Sequence, residues 1–130
     1  MTPINEVIIN KKTNLNPIWI MRQAGRYLPE FREIRSKNTD FIQLCLNPNL
    51  STEITLQPLK RFDFDAAIIF SDILMLPYGL NQNVEFKKDF GPILDKLNLD
   101  KISEVKENDF IGKVKQIYQT IKNVSNNNIL

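Results

Sequence analysis

The run Asp65-Ala66-Ala67-Ile68-Ile69-Phe70 narrows the architecture more than any other stretch of this chain. It is apolar almost without interruption, where a strand with one wet face would alternate, so it reads as a parallel strand covered on both sides. Such a strand needs helices over its faces, which makes the chain α/β. Pro17 to Met21, with Ile18-Trp19-Ile20-Met21 at its heart, reads as an earlier short strand of the same kind.

Helical segments stand around these two strands, without internal repeats or low-complexity linkers. Pro29 fits the first turn of a short helix running through Arg35, since proline is tolerated there and cannot continue a preceding helix. Thr39-Asp40 reads as the N-terminal cap of a segment ending at Leu46. A further helix runs from Pro48 or Leu50 toward Arg61, with Ile54, Leu56 and Leu59 facing the core and Pro58 as a kink. Val84-Glu85-Phe86-Lys87 reads as a small edge strand. From Asp109 to Val124, Phe110, Ile111, Val114, Ile117, Tyr118, Ile121 and Val124 recur at offsets of 3, 4, 7 and 11 residues, one core-facing helical stripe.

Charge is distributed unevenly around the first strand. Arg22 and Arg26 follow it with no carboxylate before Glu30, and Gly25 lies between them. Guanidinium groups fork onto carboxylates, so this segment suits an anionic, polyacidic ligand; the alternative is that both arginines are solvated or paired with distant acids. Arg35 reads either as a further carboxylate contact or as part of a solvated face with Arg32 and Glu33. Asp72 stands just beyond the end of the second strand. It reads as the N-cap of a helix from Ile73 to Leu76, or as an acceptor-only group presented to a ligand.

Composition bounds the remaining classes. Hydrophobic residues at 42% and charged residues at 25% are ordinary for a soluble globular protein. A net charge of +2, without a lysine stripe interleaved with aromatics, gives no case for nucleic acid. Met1 to Asn16 is polar and lacks the apolar region of a secretory signal, and no later run approaches the roughly 18 residues of a membrane span. The expected place is the cytoplasm, with no membrane partner. Cys45 is the one cysteine and lies in the apolar patch Phe41 to Leu46, so it reads as a buried core thiol with no internal disulfide. Histidine is absent, so the chain by itself offers no His/Cys set for zinc, and no metal is expected.

Two words carry a family likeness. The first is Met21-Arg22-Gln23-Ala24-Gly25-Arg26-Tyr27-Leu28-Pro29-Glu30-Phe31-Arg32; the second is Thr55-Leu56-Gln57-Pro58-Leu59-Lys60-Arg61-Phe62, followed by Asp65 to Leu74. In this order and spacing the chain resembles the N-terminal portion of the uroporphyrinogen decarboxylase family. The words span most of residues 17–77, and beyond Pro77 the likeness thins to the turn around Gly91-Pro92.

The resemblance implies a (β/α)₈ TIM barrel and a cofactor-independent enzyme of haem biosynthesis. Its tetrapyrrole substrate, uroporphyrinogen, loses the carboxyl groups of four acetate side chains to give coproporphyrinogen. It also implies that Asp72 sits at the centre of the cleft and accepts hydrogen bonds from pyrrole N–H groups. Arg22 takes the acetate-binding and proton-delivery position, Arg26 and Arg35 clamp further carboxylates, and Gln23, Ala24 and Gly25 shape the loop. The family forms homodimers. Such barrels typically need about 250 residues and this chain has 130, so residues 1–130 are expected to be the N-terminal fragment of a single barrel domain. Activity is then expected only in the full-length protein, with poor solubility or a molten state for the fragment expressed alone. Ile129-Leu130 reads as the start of another strand. Two other functions stay open: a corrinoid- or zinc-using methyltransferase on the same barrel, and a non-catalytic fragment that binds an anion or a tetrapyrrole without chemistry.

Overall fold

In the computed structural model, the described residues are 2–20, 27–87 and 90–127. In chain order they form α1 (Pro3–Asn10), α2 (Pro29–Lys37), α3 (Phe41–Cys45), α4 (Pro48–Arg61), α5 (Met75–Gly79), β1 (Val84–Lys87), β2 (Gly91–Leu94), α6 (Leu99–Ser103) and α7 (Glu107–Ser125). The class is mixed helix and strand.

Local chemistry explains where the helices start. Pro3, Pro29 and Pro48 each open a helix, where a missing N–H has no intrahelical partner to lose. Asp40 accepts the Gln43 N–H at 3.1 Å ahead of α3, and Asn47 accepts the Leu50 N–H at 3.1 Å ahead of α4. The two short helices that the sequence reading passed over carry the same signal. Thr2 caps α1 ahead of Pro3, and Asn98 caps α6 through the Lys101 N–H at 3.0 Å.

The core is built on α4. Its Ser51 hydroxyl donates to the carbonyls of Leu44 and Cys45, closing the corner with α3. Leu28, Phe31, Leu44 and Ile54 form one buried cluster between α2, α3 and α4. Ile42, Cys45 and Met75 form a second, and Leu56, Leu59 and Val124 form a third where α4 lies along α7. Phe70 packs against the first two clusters, with its ring edge-on to Phe31 at 5.8 Å and to Phe41 at 5.9 Å. Gly79 brings α5 onto α7: a Cβ there would lie 2.4 Å from the Phe110 ring.

The two expected strands differ from the sequence reading. Among the described residues, 17–20 and 65–70 form no strand, and the single sheet is the antiparallel pair β1–β2, with Val84 opposite Leu94 and Lys87 opposite Gly91. The two segments nevertheless lie side by side at their beginnings. Asp65 donates its N–H to the Ile18 carbonyl at 2.9 Å, and its carboxylate accepts the Ile18 N–H at 2.7 Å. A side-chain oxygen thus takes a donor that a ladder would give to a backbone carbonyl. Ala67 and Ile69 rest on the α4–α7 cluster and the run is half-buried, so it is covered less completely than a two-sided strand.

Two helices also depart in detail. The helix expected from Ile73 to Leu76 is α5, which begins at Met75 and carries Pro77 within its first turn, where proline costs no hydrogen bond. On α7, the packed face is Phe110, Val114, Ile117, Thr120 and Val124, while Ile111, Tyr118 and Ile121 of the expected stripe are exposed. The start at Pro29, the cap at Asp40 and the proline-containing helix to Arg61 stand as read.

Two predictions follow from these contacts. Thr55 is fully buried; its hydroxyl donates to the Ser51 carbonyl at 2.7 Å and accepts the Phe70 N–H at 2.8 Å. Thr55→Val keeps the shape and strands that N–H, so it should lower stability by about 1–3 kcal/mol, whereas Thr55→Ser should keep most of it. Thermal melts that rank valine level with wild type would refute the bond's importance. Glu30 and Arg61 form a two-pronged pair, Nε to Oε1 at 2.6 Å and Nη2 to Oε2 at 2.9 Å. Hydrogen bonding to Arg61 holds the Glu30 carboxyl below its ordinary 4.5. That contribution is present above pH 4.5 and is lost as pH falls through the lowered value, so Glu30→Gln should flatten the acid limb of a stability–pH curve.

Candidate active site

The structure carries the chain from Phe70 to Asp72 on a fixed track. Phe70 is held at its N–H by Thr55 and at its ring by Phe31 and Phe41. Two residues later, Asp72 folds into a turn: its Oδ1 accepts the Leu74 N–H at 2.9 Å and its carbonyl accepts the Met75 N–H at 3.0 Å. Leu74, not Asp72, is the N-cap of α5. The aspartate therefore organises the entry to α5 from upstream, as an Asx turn. A carboxylate offers about four acceptor sites and this turn uses one, so the local role leaves acceptor capacity for a ligand.

Arg35 stands apart from the solvated residues around it. Arg32 is exposed and Lys37 pairs with Glu33 at 2.7 Å on the surface, whereas Arg35 is half-buried with its guanidinium 5.7 Å from the Phe41 ring centroid. Its Nη1 donates to the Asn38 carbonyl, and among the described residues no carboxylate pairs with it. The aromatic face of Phe41 and the C-terminus of α2 both stabilise this cation without a paired carboxylate.

Cys45 reports on both charged groups. It is 1% exposed, and its thiol is pushed up to about 12 from an ordinary 9.0, first by burial, then by the negative charge of Asp72, with Arg35 acting in the opposite sense. Asp72 and Arg35 therefore act on one sulfur, inside the cluster that Phe41 and Phe70 share. The structure brings these two sequence-derived candidates to one neighbourhood. Arg22, Gln23, Ala24, Gly25 and Arg26 lie outside the described residues.

Sequence reasoning did not single out Thr55 or Phe41, which place Asp72 and Arg35. A threonine one turn after Ser51, on the same side of α4 as Leu59, was the available signal for the first; the second has none, because its ring meets Arg35 only through the turn between α2 and α3. Two open clefts of about 470 and 500 Å³ border α3, the first lined by residues such as Asn38, Asp40 and Asn47, the second by Phe41, Tyr78 and Phe86. Neither is lined by Arg35 or Asp72. Among the described residues no three His, Cys, Asp or Glu side chains gather as a metal site.

The placement of Cys45 can be titrated. Because the folded thiol ionises near 12 and the unfolded one near 9.0, its contribution to stability is intact below pH 9 and is lost as pH rises toward 12. The alkylation rate of native protein should rise with pH toward 12. Asp72→Asn should move that profile down and Arg35→Gln should move it up. Profiles unmoved by both changes would separate the two charges from Cys45.

The uroporphyrinogen decarboxylase family model matches residues 1–128. The chain is 45% identical over 116 residues to the uroporphyrinogen decarboxylase of Sinorhizobium fredii, covering 89% of this chain and 34% of that protein. It is 46% identical over 116 residues to that of Rickettsia felis, with 89% and 34% covered, and 45% identical over 115 residues to that of Agrobacterium fabrum, with 88% and 33% covered. The chain spans about a third of the length of these curated relatives. On a match that takes in both sequence words and the Asp72 turn, the chain belongs to the uroporphyrinogen decarboxylase family.

Proposed function

We propose that the full-length protein decarboxylates the four acetate side chains of uroporphyrinogen to give coproporphyrinogen in haem biosynthesis. The observation that carries this reading is the family match over residues 1–128, at about 45% identity to proteins of that name. In the same reading, residues 1–130 are the N-terminal part of one (β/α)₈ barrel. Segments 17–20 and 65–70 are its first inner strands, and α4 and α7 are their outer helices. The packing of the 65–70 run onto both helices supports this, as does its contact with Ile18. The fragment alone is inactive, and the complete enzyme is a cytoplasmic homodimer. Among the described residues no helix is long and apolar enough to cross a membrane.

The chemistry needs an electron sink and charge stabilisation, both of which the substrate and side chains supply without a cofactor. Protonation of a pyrrole α-carbon makes a cation; the adjacent acetate then loses carbon dioxide, its bonding electrons flowing toward the ring. A second protonation makes the methyl group, and loss of the first proton restores the pyrrole. Asp72 suits the centre of this site because all four ring nitrogens of a porphyrinogen are donors and a carboxylate only accepts. Its charge also stabilises the cation, more strongly where water is excluded. Arg22 and Arg26 bind acetate carboxylates, and Arg35 adds a cation beside Phe41 that pairs with no carboxylate among the described residues. Arg22 serves first as an acetate binder, and its proton-delivery role is the weaker of the two because a guanidinium is a poor acid. Gln23, Ala24 and Gly25 shape the connecting loop.

The test is a full-length chimera in which this chain replaces the matching third of the Rickettsia felis protein, assayed for carbon dioxide released from uroporphyrinogen. Asp72→Asn should lower kcat by at least about a hundredfold with the fold intact. Arg26→Ala should instead raise KM several-fold. A folded chimera that binds the tetrapyrrole and releases no carbon dioxide would favour a binding function, and wild-type kinetics for Asp72→Asn would remove that residue from the site.

A further inference from the structure

The Phe41 ring meets the β1–β2 hairpin as well as Arg35. Its centroid lies 4.7 Å from that of Phe86 on β1, with the two planes tilted by 56°. Phe86 shares a strand face with Val84, two residues earlier. Val84 packs against the cluster of Ile42, Cys45 and Met75, so the hairpin leans on α3 through both side chains. Glu85 and Lys87, which alternate with them, are exposed. Phe86 is itself 37% exposed, at the rim of the core rather than inside it. Phe41 also meets Phe70 edge-on at 5.9 Å, and its ring lies under the Arg35 guanidinium at 5.7 Å. One ring therefore joins the hairpin, the run that leads to Asp72 and the cation.

We infer that Phe86 is a positioning residue for Arg35, acting through Phe41: its ring fixes the aromatic face over which the guanidinium lies, and so the direction in which that cation meets a substrate carboxylate. The inference rests on the decarboxylase reading above, which gives Arg35 a carboxylate to bind. Arg35 is tethered at one nitrogen, where Nη1 donates to the Asn38 carbonyl. A planar fork held at one corner can still swivel, and a carboxylate is gripped by two prongs only when the plane is set. The Phe41 face sets it, provided that face does not turn. Phe41 is the first residue of α3, at a helix end, and the rings of Phe70 and Phe86 hold it there. Any apolar side chain at position 86 would cover Phe41, whereas ring-on-ring geometry adds an orientation that covering alone does not.

The experiment uses the full-length chimera described above, with Phe86→Leu to keep apolar cover without a ring and Phe86→Tyr to keep the ring. Phe86→Leu should raise KM for uroporphyrinogen by about two- to tenfold at nearly unchanged kcat, and Phe86→Tyr should stay at wild type. In an Arg35→Gln background, Phe86→Leu should add less than about 1.5-fold, because the two changes remove one interaction. A second readout needs no turnover. Arg35 favours the Cys45 thiolate, so a guanidinium that drifts should slow native Cys45 alkylation at mildly alkaline pH, as Arg35→Gln does. Mere loosening of the cluster would admit water and speed it. An unchanged KM in Phe86→Leu overturns the inference, as do effects of Phe86→Leu and Arg35→Gln that multiply, or Cys45 alkylation in Phe86→Leu that is unchanged or faster. If the chimera releases no carbon dioxide, the decarboxylase reading fails by itself, and the thiol rates still decide whether Phe86 holds Arg35 in place.

Discussion

The hydroxyl of Thr55 is the joint on which the described structure turns. It sits fully buried inside α4, gives its proton to the Ser51 carbonyl and takes the Phe70 N–H. One turn earlier, the Ser51 hydroxyl reaches the carbonyls of Leu44 and Cys45. A short chain of hydroxyls therefore ties α3, α4 and the 65–70 run together, where burial strengthens each bond and makes a broken one costly. With its N–H fixed, Phe70 lays its ring between Phe31 and Phe41, and Asp72 follows two residues later. The position of the candidate catalytic carboxylate is thus set from the far side of the core.

That carboxylate and Arg35 face a shared electrostatic problem. Neither is neutralised by a close ion pair among the described residues, in contrast to Glu30 with Arg61 and Glu33 with Lys37. Arg35 is accommodated by the Phe41 face and the Asn38 carbonyl, and Asp72 by the backbone donor of Leu74. Backbone and aromatic partners orient a charge without cancelling it, which is what an anion-binding cation and a cation-stabilising carboxylate require. The thiol of Cys45, between opposing influences and away from water, stays protonated and inert.

Helix starts were the most legible part of the sequence because their causes are local: Pro29, Asp40 and Asn47 announce α2, α3 and α4 within a few residues. The strands were less so. Apolar runs at 17–21 and 65–70 show that a segment wants cover, whereas a ladder is made by neighbours, and here the Asp65 carboxylate takes the Ile18 N–H. Periodicity also identified α7 correctly but assigned its whole apolar arc to one core, since spacing alone does not say which flank finds a partner. At the site, Asp72 was legible as a residue at the end of a run, but its reading as a helix N-cap gives way to a turn upstream of Leu74, which is the N-cap itself. Arg35 was ambiguous in sequence because its distinction from Arg32 rests on Phe41, which meets it only in three dimensions.

The two sequence words are better understood as one packing unit than as two signatures. Glu30 at the end of the first word grips Arg61 in the second with paired hydrogen bonds. Leu28 and Phe31 of the first bury against Ile54, and Phe31 meets the ring of Phe70 beyond the second. Ile18, just before the first word, is bound to Asp65 through both its N–H and its carbonyl. The described residues on either side of Arg22 and Arg26 are therefore each fastened to the segment that leads to Asp72. A change at Arg61 or Asp65 would act on Glu30 and Ile18, on either side of that stretch, and on the segment that leads to Asp72. The spacing between the words is set by what those contacts must hold in register, and the chemistry proposed for this family needs that register to bring carboxylate-binding cations and a donor-binding carboxylate to one ligand.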